Sequence, residues 1–118
     1  MKRVYISGPM TGLPDFNYPA FNAEAARLRA LGYHVENPAE NPEQPCWEDY
    51  MKVAIRQMLT CDTIAVLPGW GKSRGAWMEV SIAERVGMKF CEAASIMAPA
   101  SKPLHVQYIG RLARQVSS

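Results

Sequence analysis

Apolar positions in the first third of the chain change from a strand pattern to a helix pattern. The run Val4-Tyr5-Ile6 is β-prone and ends at the turn sequence Ser7-Gly8-Pro9. Pro19 then opens a helical pattern, because proline is favoured in the first turn of a helix. Gly32 follows as the expected helix stop. The apolar face of this predicted helix consists of Phe21, Ala25, Leu28 and Leu31.

The middle of the chain repeats this change from strand to helix. A short strand is predicted at residues 33–36, followed by an exposed, mobile loop at residues 37–45 that is rich in Pro, Glu and Asn. The next helix begins near Trp47, and its apolar side chains form one stripe with polar side chains toward water. The stripe consists of Trp47, Tyr50, Met51, Ala54, Ile55 and Met58.

A continuous apolar run at residues 63–67 is typical of a central parallel strand that helices cover on both faces. Ser73 begins a third helix that extends to about Val86 and ends at Gly87, and residues 88–91 form a fourth strand. The order βαβαβαβ predicts an α/β fold with one doubly wound, flavodoxin-like or Rossmann-like parallel sheet of about four or five strands flanked by helices.

The rest of the pattern predicts a single domain. Residues 92–103 contain small residues and prolines and are expected to form a loop. A terminal helix is predicted at residues 104–116. The domain then covers residues 1–118, with its core in residues 2–91.

Composition narrows the class of protein. The chain has 118 residues, enough for one hydrophobic core, and 48% of them are apolar. Thirteen basic and eleven acidic residues give a net charge of +2, and the basic residues are dispersed, so no nucleic-acid polymer is expected as a partner. No apolar stretch approaches the roughly 20 residues of a membrane span. We therefore expect no membrane partner and a cytoplasmic location.

Cysteine and histidine positions do not form a metal-binding pattern. Cys46, Cys61 and Cys91 are odd in number and widely spaced, which predicts reduced thiols rather than a disulfide framework. His34 and His105 lack a second ligand at helical spacing. No metal and no cofactor are expected.

The loop after the first predicted strand carries residues suited to anion binding. Ligands of parallel sheets bind beyond the carboxyl ends of the strands. Gly8 allows backbone N–H groups to approach an anion, and hydroxyl groups add donors. The loop matches neither a dinucleotide-binding nor a Walker motif, so a turn without a ligand is an equal alternative. The candidate binding residues are Ser7, Gly8, Pro9 and Met10.

The loop that opens the third predicted helix is the second candidate. Free N–H groups in the first turn of a helix favour an anion, and Arg74 adds positive charge. Glu79 lies six residues after Ser73 among apolar neighbours, so we expect it to face the same ligand. The candidate binding residues here are Gly69, Trp70, Ser73, Arg74 and Gly75.

Three segments resemble signatures of the nucleoside 2-deoxyribosyltransferases and the 2′-deoxynucleoside 5′-phosphate N-hydrolases. They are VYISGP at residues 4–9, Cys61-Asp62 before the third strand, and Ser73-x-Gly75-x-x-x-Glu79. The chain also resembles a prophage-associated family of unknown function assigned to that superfamily, typified by a YISGPMTG start and an LPGW…SRGA…E segment. The likeness covers residues 2–91 in order and leaves out the tail.

The resemblance implies covalent catalysis. Glu79 would attack the anomeric carbon of a deoxyribose, because a carboxylate stabilises an oxocarbenium-like transition state and leaves readily in the second step. Asp62 matches the family aspartate that handles the proton on the departing base, although the amino end of a strand lies far from the expected ligand edge. Tyr5 matches the tyrosine that orients the nucleophile, and a buried strand aromatic is the alternative.

The resemblance also implies a phosphorylated substrate. Gly8, Ser73 and Gly75 would hold the 5′ end of the sugar. Superfamily members that use free nucleosides have an acid where this chain has Ser73, and the monophosphate hydrolases have a serine. A serine beside Arg74 suits a phosphate, so the expected small-molecule partner is a nucleotide rather than a nucleoside. Because relatives form dimers or larger assemblies, a homo-oligomer is expected.

Some assignments stay open at this point. The segment between Asn37 and Asp49 is unlike either enzyme family, so the base preference cannot be carried over. Trp47 and Trp70 are candidates for stacking on a base, with packing as the commoner role. Asp49 is a spare acid candidate, with a helix-start role as the alternative. A non-catalytic nucleotide-binding module of phage origin is the second hypothesis, and a structural or interaction protein is the third.

Overall fold

Strands and helices alternate in the predicted order in a computed structural model, which describes residues 2–101. The predicted helix at residues 104–116 lies outside the described residues. The elements are β1 (Arg3–Ser7), α1 (Tyr18–Ala30), β2 (His34–Glu36), α2 (Trp47–Met58), β3 (Thr63–Val66), α3 (Arg74–Arg85) and β4 (Lys89–Glu92).

The four strands form one parallel sheet in the order β2-β1-β3-β4. In this register Val4 lies opposite Val35, Tyr5 opposite Ile64, and Ile64 opposite Phe90. Helices connect the strands, as parallel pairing requires. The sheet and its flanking helices confirm the predicted α/β, Rossmann-like fold.

Successive residues of β1 face opposite sides of the sheet, and this alternation divides the core in two. Val4 and Ile6 face α1 and pack with its buried side chains. Tyr5 points the other way, toward the layer formed by α2 and α3, where it packs with Met58 and Val80. Burying a large apolar side chain contributes about 1.5–3 kcal/mol, so both layers are needed for stability.

Helix ends follow the predicted capping residues. Gly32 and Gly87 have φ values of +94° and +79°, the left-handed conformation that glycine adopts without strain after a helix. The Ser73 side chain accepts a hydrogen bond from the backbone N–H of Ala76 at 3.2 Å and so caps α3. The sequence therefore predicts where α1 and α3 stop and start to within a residue or two.

The loop after β2 is less exposed than the sequence predicts. Asn37 and Pro38 are buried, and residues 38–40 form a single helical turn. The Asn37 side chain accepts from the backbone N–H of Ala39 at 3.1 Å and donates to Asn22 at 2.9 Å. Because the asparagine satisfies its own polar groups, this part of the loop can pack against α1.

No helix within residues 2–101 is both long enough and apolar enough to cross a membrane.

Candidate active site at the carboxyl edge of the sheet

A cleft of about 380 Å³ opens at the carboxyl edge of the sheet. β2 pairs with one side of β1, and β3 pairs with the other side. Such a change in the direction of strand order leaves a crevice beyond the carboxyl ends of β1 and β3. Gly8 follows β1 and lines the cleft, and Ser73, Gly75 and Glu79 enter it from α3. The volume falls in the range of about 300–1,000 Å³ that is usual for small-molecule sites.

Glu79 lies against the end of β1, and only 5% of its surface is exposed. The Tyr5 hydroxyl donates to Glu79 Oε2 at 2.5 Å, and the Ser7 hydroxyl donates to Oε1 at 2.7 Å. Tyr5 and Ser7 are two positions apart on one strand, so both side chains face α3. Because side chains two residues apart on a strand share a face, the hydroxyl groups of Tyr5 and Ser7 can both donate to the Glu79 carboxylate.

Burial makes Glu79 easier to protonate than an exposed glutamate. The loss of water around the carboxylate raises the pKa of Glu79 from 4.5 to about 7, and the hydrogen bonds from Tyr5 and Ser7 oppose this rise. The pKa of Tyr5 lies well above its ordinary value because the phenol is buried and faces the charge of Glu79. Tyr5 therefore keeps its proton and acts as a donor to Glu79.

Small residues allow the elements around Glu79 to approach closely. A Cβ atom at Gly8 would lie 2.8 Å from Leu67 Cβ, which is closer than two such atoms can come. A Cβ atom at Gly75 would lie 3.2 Å from Met51 Sδ. The two glycines that the sequence marks as ligand-binding residues therefore also set spacings: Gly8 that between the ends of β1 and β3, and Gly75 that between α2 and α3.

Aromatic side chains form much of the cleft wall, and of these the sequence singles out only Tyr5 and Trp47 as site candidates. They come from β1, from the segment before α1, from α1 and from the start of α2. Within residues 2–101 the only acidic side chains that line the cleft are Glu43 and Glu79. The aromatic residues of the wall are Tyr5, Phe16, Tyr18, Phe21, Trp47 and Tyr50.

The segment that carries Phe16 has an unusual backbone. Asp15, Phe16 and Asn17 have φ values of 50°, 51° and 61°, in the left-handed region. Such a conformation costs about 1–2 kcal/mol for a residue with a side chain, and Asp and Asn tolerate it best. Asn17 Nδ2 donates to the carbonyl oxygen of Pro9 at 3.0 Å, which ties the segment to the loop after β1. Strain of this kind is common beside binding sites.

The structure places Asp62 away from the cleft. β3 begins at Thr63, so Asp62 lies at the amino end of a four-residue strand, and such a strand spans about 13 Å. Its carboxylate accepts from the backbone N–H of Arg3 at 3.0 Å and from the Thr63 hydroxyl at 2.7 Å. The structure thus has Asp62 at the amino end of the strand, as the sequence indicates, and the proton-transfer role that the resemblance implies does not fit this position, because these bonds hold Asp62 at the opposite edge of the sheet.

Other predicted binding residues divide between the cleft and its surroundings. Met10, like Gly8, lines the cleft, whereas Ser7 reaches it only through its bond to Glu79. Trp70 packs edge-on against Trp77 and Phe90, so it belongs to the packing of the α3 layer. Pro9, Gly69 and Arg74 are not among the residues that line the cleft.

Arg74 and Asp49 both contact side chains of α2. The Arg74 guanidinium carbon lies 3.9 Å from the centroid of the Trp47 ring, a cation–π contact that holds the indole at the cleft. Asp49 lies in the first turn of α2, 3.9 Å from Lys52, and does not line the cleft. This placement fits the helix-start role for Asp49 rather than the acid role.

No group of three or more His, Cys, Asp and Glu side chains within residues 2–101 could hold a metal ion. The polar groups of the cleft are instead hydroxyl groups, two carboxylates, the Gln44 amide and backbone N–H groups. Such a set can bind a sugar and an anion and can supply a nucleophile.

Comparison with known proteins places the chain in one family. No curated protein matches the sequence. Residues 2–92 match the family described as a domain of unknown function (DUF4406), and this match includes every element from β1 to β4. The chain therefore belongs to the DUF4406 family.

Proposed function

We propose that the protein cleaves the N-glycosidic bond of a 2′-deoxynucleoside 5′-monophosphate, with Glu79 as the nucleophile. One observation carries this proposal: a buried glutamate accepts hydrogen bonds from Tyr5 and Ser7 beside an aromatic cleft. A structural carboxylate is rarely buried without a cationic partner. A nucleophilic carboxylate benefits from this placement, because reduced solvation leaves it more reactive toward a cationic carbon.

The hydrogen bonds to Glu79 leave a lone pair free on each carboxylate oxygen. Each carboxylate oxygen accepts one hydroxyl donor and retains a second lone pair for the anomeric carbon. In the first step one oxygen of Glu79 forms a bond to C1′ while the bond from C1′ to the base nitrogen breaks. Water or a second base then attacks C1′ and releases Glu79 as a carboxylate, giving hydrolysis or deoxyribosyl transfer.

A phosphate fits the end of the cleft where α3 begins. Ser73 uses its side-chain oxygen to cap Ala76, which leaves the N–H groups of Arg74 and Gly75 at the first turn. Gly8 and Thr11 line the cleft beside this turn. A helix N-terminus favours a negative charge, and an uncharged serine at the cap does not repel it.

The aromatic wall supports a nucleobase as the leaving group. Trp47, Tyr18 and Phe16 line the cleft, and their rings offer flat apolar surfaces for stacking. Arg74 holds the Trp47 ring at 3.9 Å from its own guanidinium carbon. A deoxynucleotide with its phosphate at α3 would then place the anomeric carbon near Glu79 and its base against this wall.

The first experiment is to incubate the protein with each deoxynucleoside and ribonucleoside 5′-monophosphate and with the free nucleosides. Chromatography then detects released base. Glu79→Gln is the test variant, and Glu92→Gln, an exposed glutamate at the end of β4, is the matched control. Base release by the wild type and by Glu92→Gln, but not by Glu79→Gln, supports the proposal.

The alternative is a nucleotide-binding module without catalysis. It predicts that a nucleotide raises the melting temperature although no base is released. No stabilisation and no release would instead favour a structural or interaction protein. These outcomes separate the three hypotheses in one set of samples.

Assembly into a homo-oligomer and a cytoplasmic location are part of this proposal. Trp77 and Met78 on α3 are 56% and 37% exposed, which leaves apolar surface on this helix for a second copy of the chain. A nucleotide substrate and reduced thiols both fit the cytoplasm.

A further inference from the structure

The cleft contains one acidic side chain that the proposed function does not yet use. Glu43 lies in the segment between β2 and α2, and its side chain lines the cleft. Glu43 is exposed, whereas Glu79 is buried. Within the described part of the chain the Glu43 carboxylate makes no hydrogen bond or ion pair, so it is available to a ligand.

Cleavage of a glycosidic bond needs a second group besides the nucleophile. The bonding electrons pass to the base, and a proton on the base prevents the build-up of negative charge there. Glycosidases meet this need with two carboxyl groups on either side of the bond. Asp62 cannot supply the proton from its observed position, because it is bound to Arg3 and Thr63 at the other end of the sheet.

The proposed binding mode leaves the base in the part of the cleft that Glu43 lines. The proposed function places the phosphate at the first turn of α3 and C1′ at Glu79, and the Trp47 ring lies beside that turn, 3.9 Å from the Arg74 guanidinium carbon. The base then meets the remaining lining of the cleft, which includes Glu43 and Gln44. Glu43 is the acidic side chain available on the side of the base, while Glu79 is the one at C1′.

Two phenol groups in the cleft, those of Tyr5 and Tyr50, are poorer proton donors. Tyr5 already donates to Glu79 at 2.5 Å. Burial and the charge of Glu79 raise the pKa of Tyr50 above its ordinary value, so this phenol resists losing its proton.

We infer that Glu43 is the general acid that protonates the departing base and the general base that activates the incoming water, an inference that rests on the proposed function. In the first step the C1′–N bond breaks, Glu79 bonds to C1′, and the proton of Glu43 moves to a ring nitrogen of the base. In the second step Glu43 takes a proton from water as the water oxygen attacks C1′ and the bond to Glu79 breaks.

The experiment compares two leaving groups in Glu43→Gln. One substrate is the best natural deoxynucleotide from the base-release screen. The other is nicotinamide 2′-deoxyriboside 5′-monophosphate, whose pyridinium base leaves as a neutral molecule without needing a proton. We expect kcat/KM for the natural nucleotide to fall by about 10²–10⁴-fold and kcat/KM for the nicotinamide nucleotide to stay close to the wild-type value. Glu48→Gln, at an exposed glutamate in the first turn of α2 that does not line the cleft, is the matched control and should leave both rates unchanged.

Several outcomes would overturn the inference. An equal loss on both substrates would mean that Glu43 binds the nucleotide without donating a proton, and no loss on either would mean that it does not act. If Glu79→Gln is inactive while Glu43→Gln keeps its full rate on the natural nucleotide, only the role of Glu43 fails. If the wild type cleaves neither substrate, the proposed function fails and the role of Glu43 fails with it. Since Glu43 is exposed, the substitution should leave the melting temperature within a degree or two of wild type, which excludes misfolding as the cause of a loss.

Discussion

At the scale of single residues, the contact between Glu79 and two hydroxyl groups sets both the stability and the chemistry of the site. An ionised carboxylate buried at 5% exposure loses most of its hydration. The donors Tyr5 and Ser7 replace part of that hydration. The loss of hydration that these donors do not replace raises the pKa of Glu79 to about 7. Under the proposed function, the protein gives up some stability at neutral and higher pH to hold its nucleophile in this position.

Glu79→Gln should stabilise the protein at pH 8 but not at pH 5. The pKa of Glu79 is raised from 4.5 to about 7 on folding, so the folded state binds this proton more tightly than the unfolded state. The free energy of unfolding therefore falls as the pH rises from 4.5 to 7, by about 3 kcal/mol for this one group. Gln lacks this dependence. Urea unfolding at both pH values measures the difference between variant and wild type, and an equal difference at pH 5 and pH 8 would contradict the assignment.

Tyr5→Phe should shift the pH dependence of activity toward higher pH. The proposed reaction requires ionised Glu79, so kcat/KM of the wild type should rise with pH through about 7. A hydrogen bond to a charged group is worth about 1.5–3 kcal/mol, so its loss should move the midpoint upward by about one to two pH units. Tyr33→Phe is the control, because the Tyr33 hydroxyl donates to Ala98 on the other face of the sheet. A wild-type midpoint in Tyr5→Phe would show that this bond does not tune the nucleophile.

At the scale of elements, the site depends on how closely the ends of β1 and β3 approach each other. Gly8→Ala should destabilise the protein by about 1–3 kcal/mol, because the added Cβ would lie 2.8 Å from Leu67 Cβ and one strand end must move. The movement also displaces Ser7, so activity should fall. Gly71→Ala is the matched control, since nothing lies within 4 Å of its added Cβ. Thermal unfolding of both variants measures the effect, and equal melting temperatures for the two would contradict the close-approach argument.

Periodic elements could be predicted from the sequence because local patterns determine them. The alternation of strand and helix, the glycine stops and the Ser73 cap all appear in the structure at nearly the predicted positions. The pairing of Tyr5 and Glu79 was predicted from a family likeness, and the strand period alone would have added Ser7 to it. The aromatic wall was not predictable in this way, because residues such as Phe16 and Tyr50 come from separate elements that meet only in the folded chain. Asp62 shows the limit of a motif match, because the match implied a role on the departing base although the strand pattern already placed this residue at the amino end of β3.

At the scale of the whole molecule, the strand order concentrates the chemistry at one edge of the sheet. The Ser73 cap of α3, the close glycines and the buried glutamate all lie at this edge because every strand runs in the same direction. The opposite edge holds Arg3 and Asp62 in a structural network. The α3 helix contributes to the site with its first two turns and leaves apolar surface outside.

The apolar surface of α3 predicts self-association. Light scattering should give a mass of at least twice the monomer mass of 13.1 kDa. Trp77→Glu should shift this mass toward that of the monomer, because a charge in place of an exposed tryptophan disfavours an apolar contact. Met97→Glu, at a side chain that is 80% exposed outside α3, is the control. A wild-type mass of 13.1 kDa at all concentrations would contradict this prediction.

The most direct test of the central claim is to trap the glycosyl-enzyme. A 2′-deoxy-2′-fluoro-arabinonucleoside 5′-monophosphate slows both steps, because the fluorine destabilises the cationic transition state, and it slows release of the sugar most. Mass spectrometry of the digested protein should then show one sugar phosphate attached to the peptide that contains Glu79, and Glu79→Gln should carry none. Release of base by the wild type with no adduct on Glu79, or with an adduct on another residue, would contradict the account.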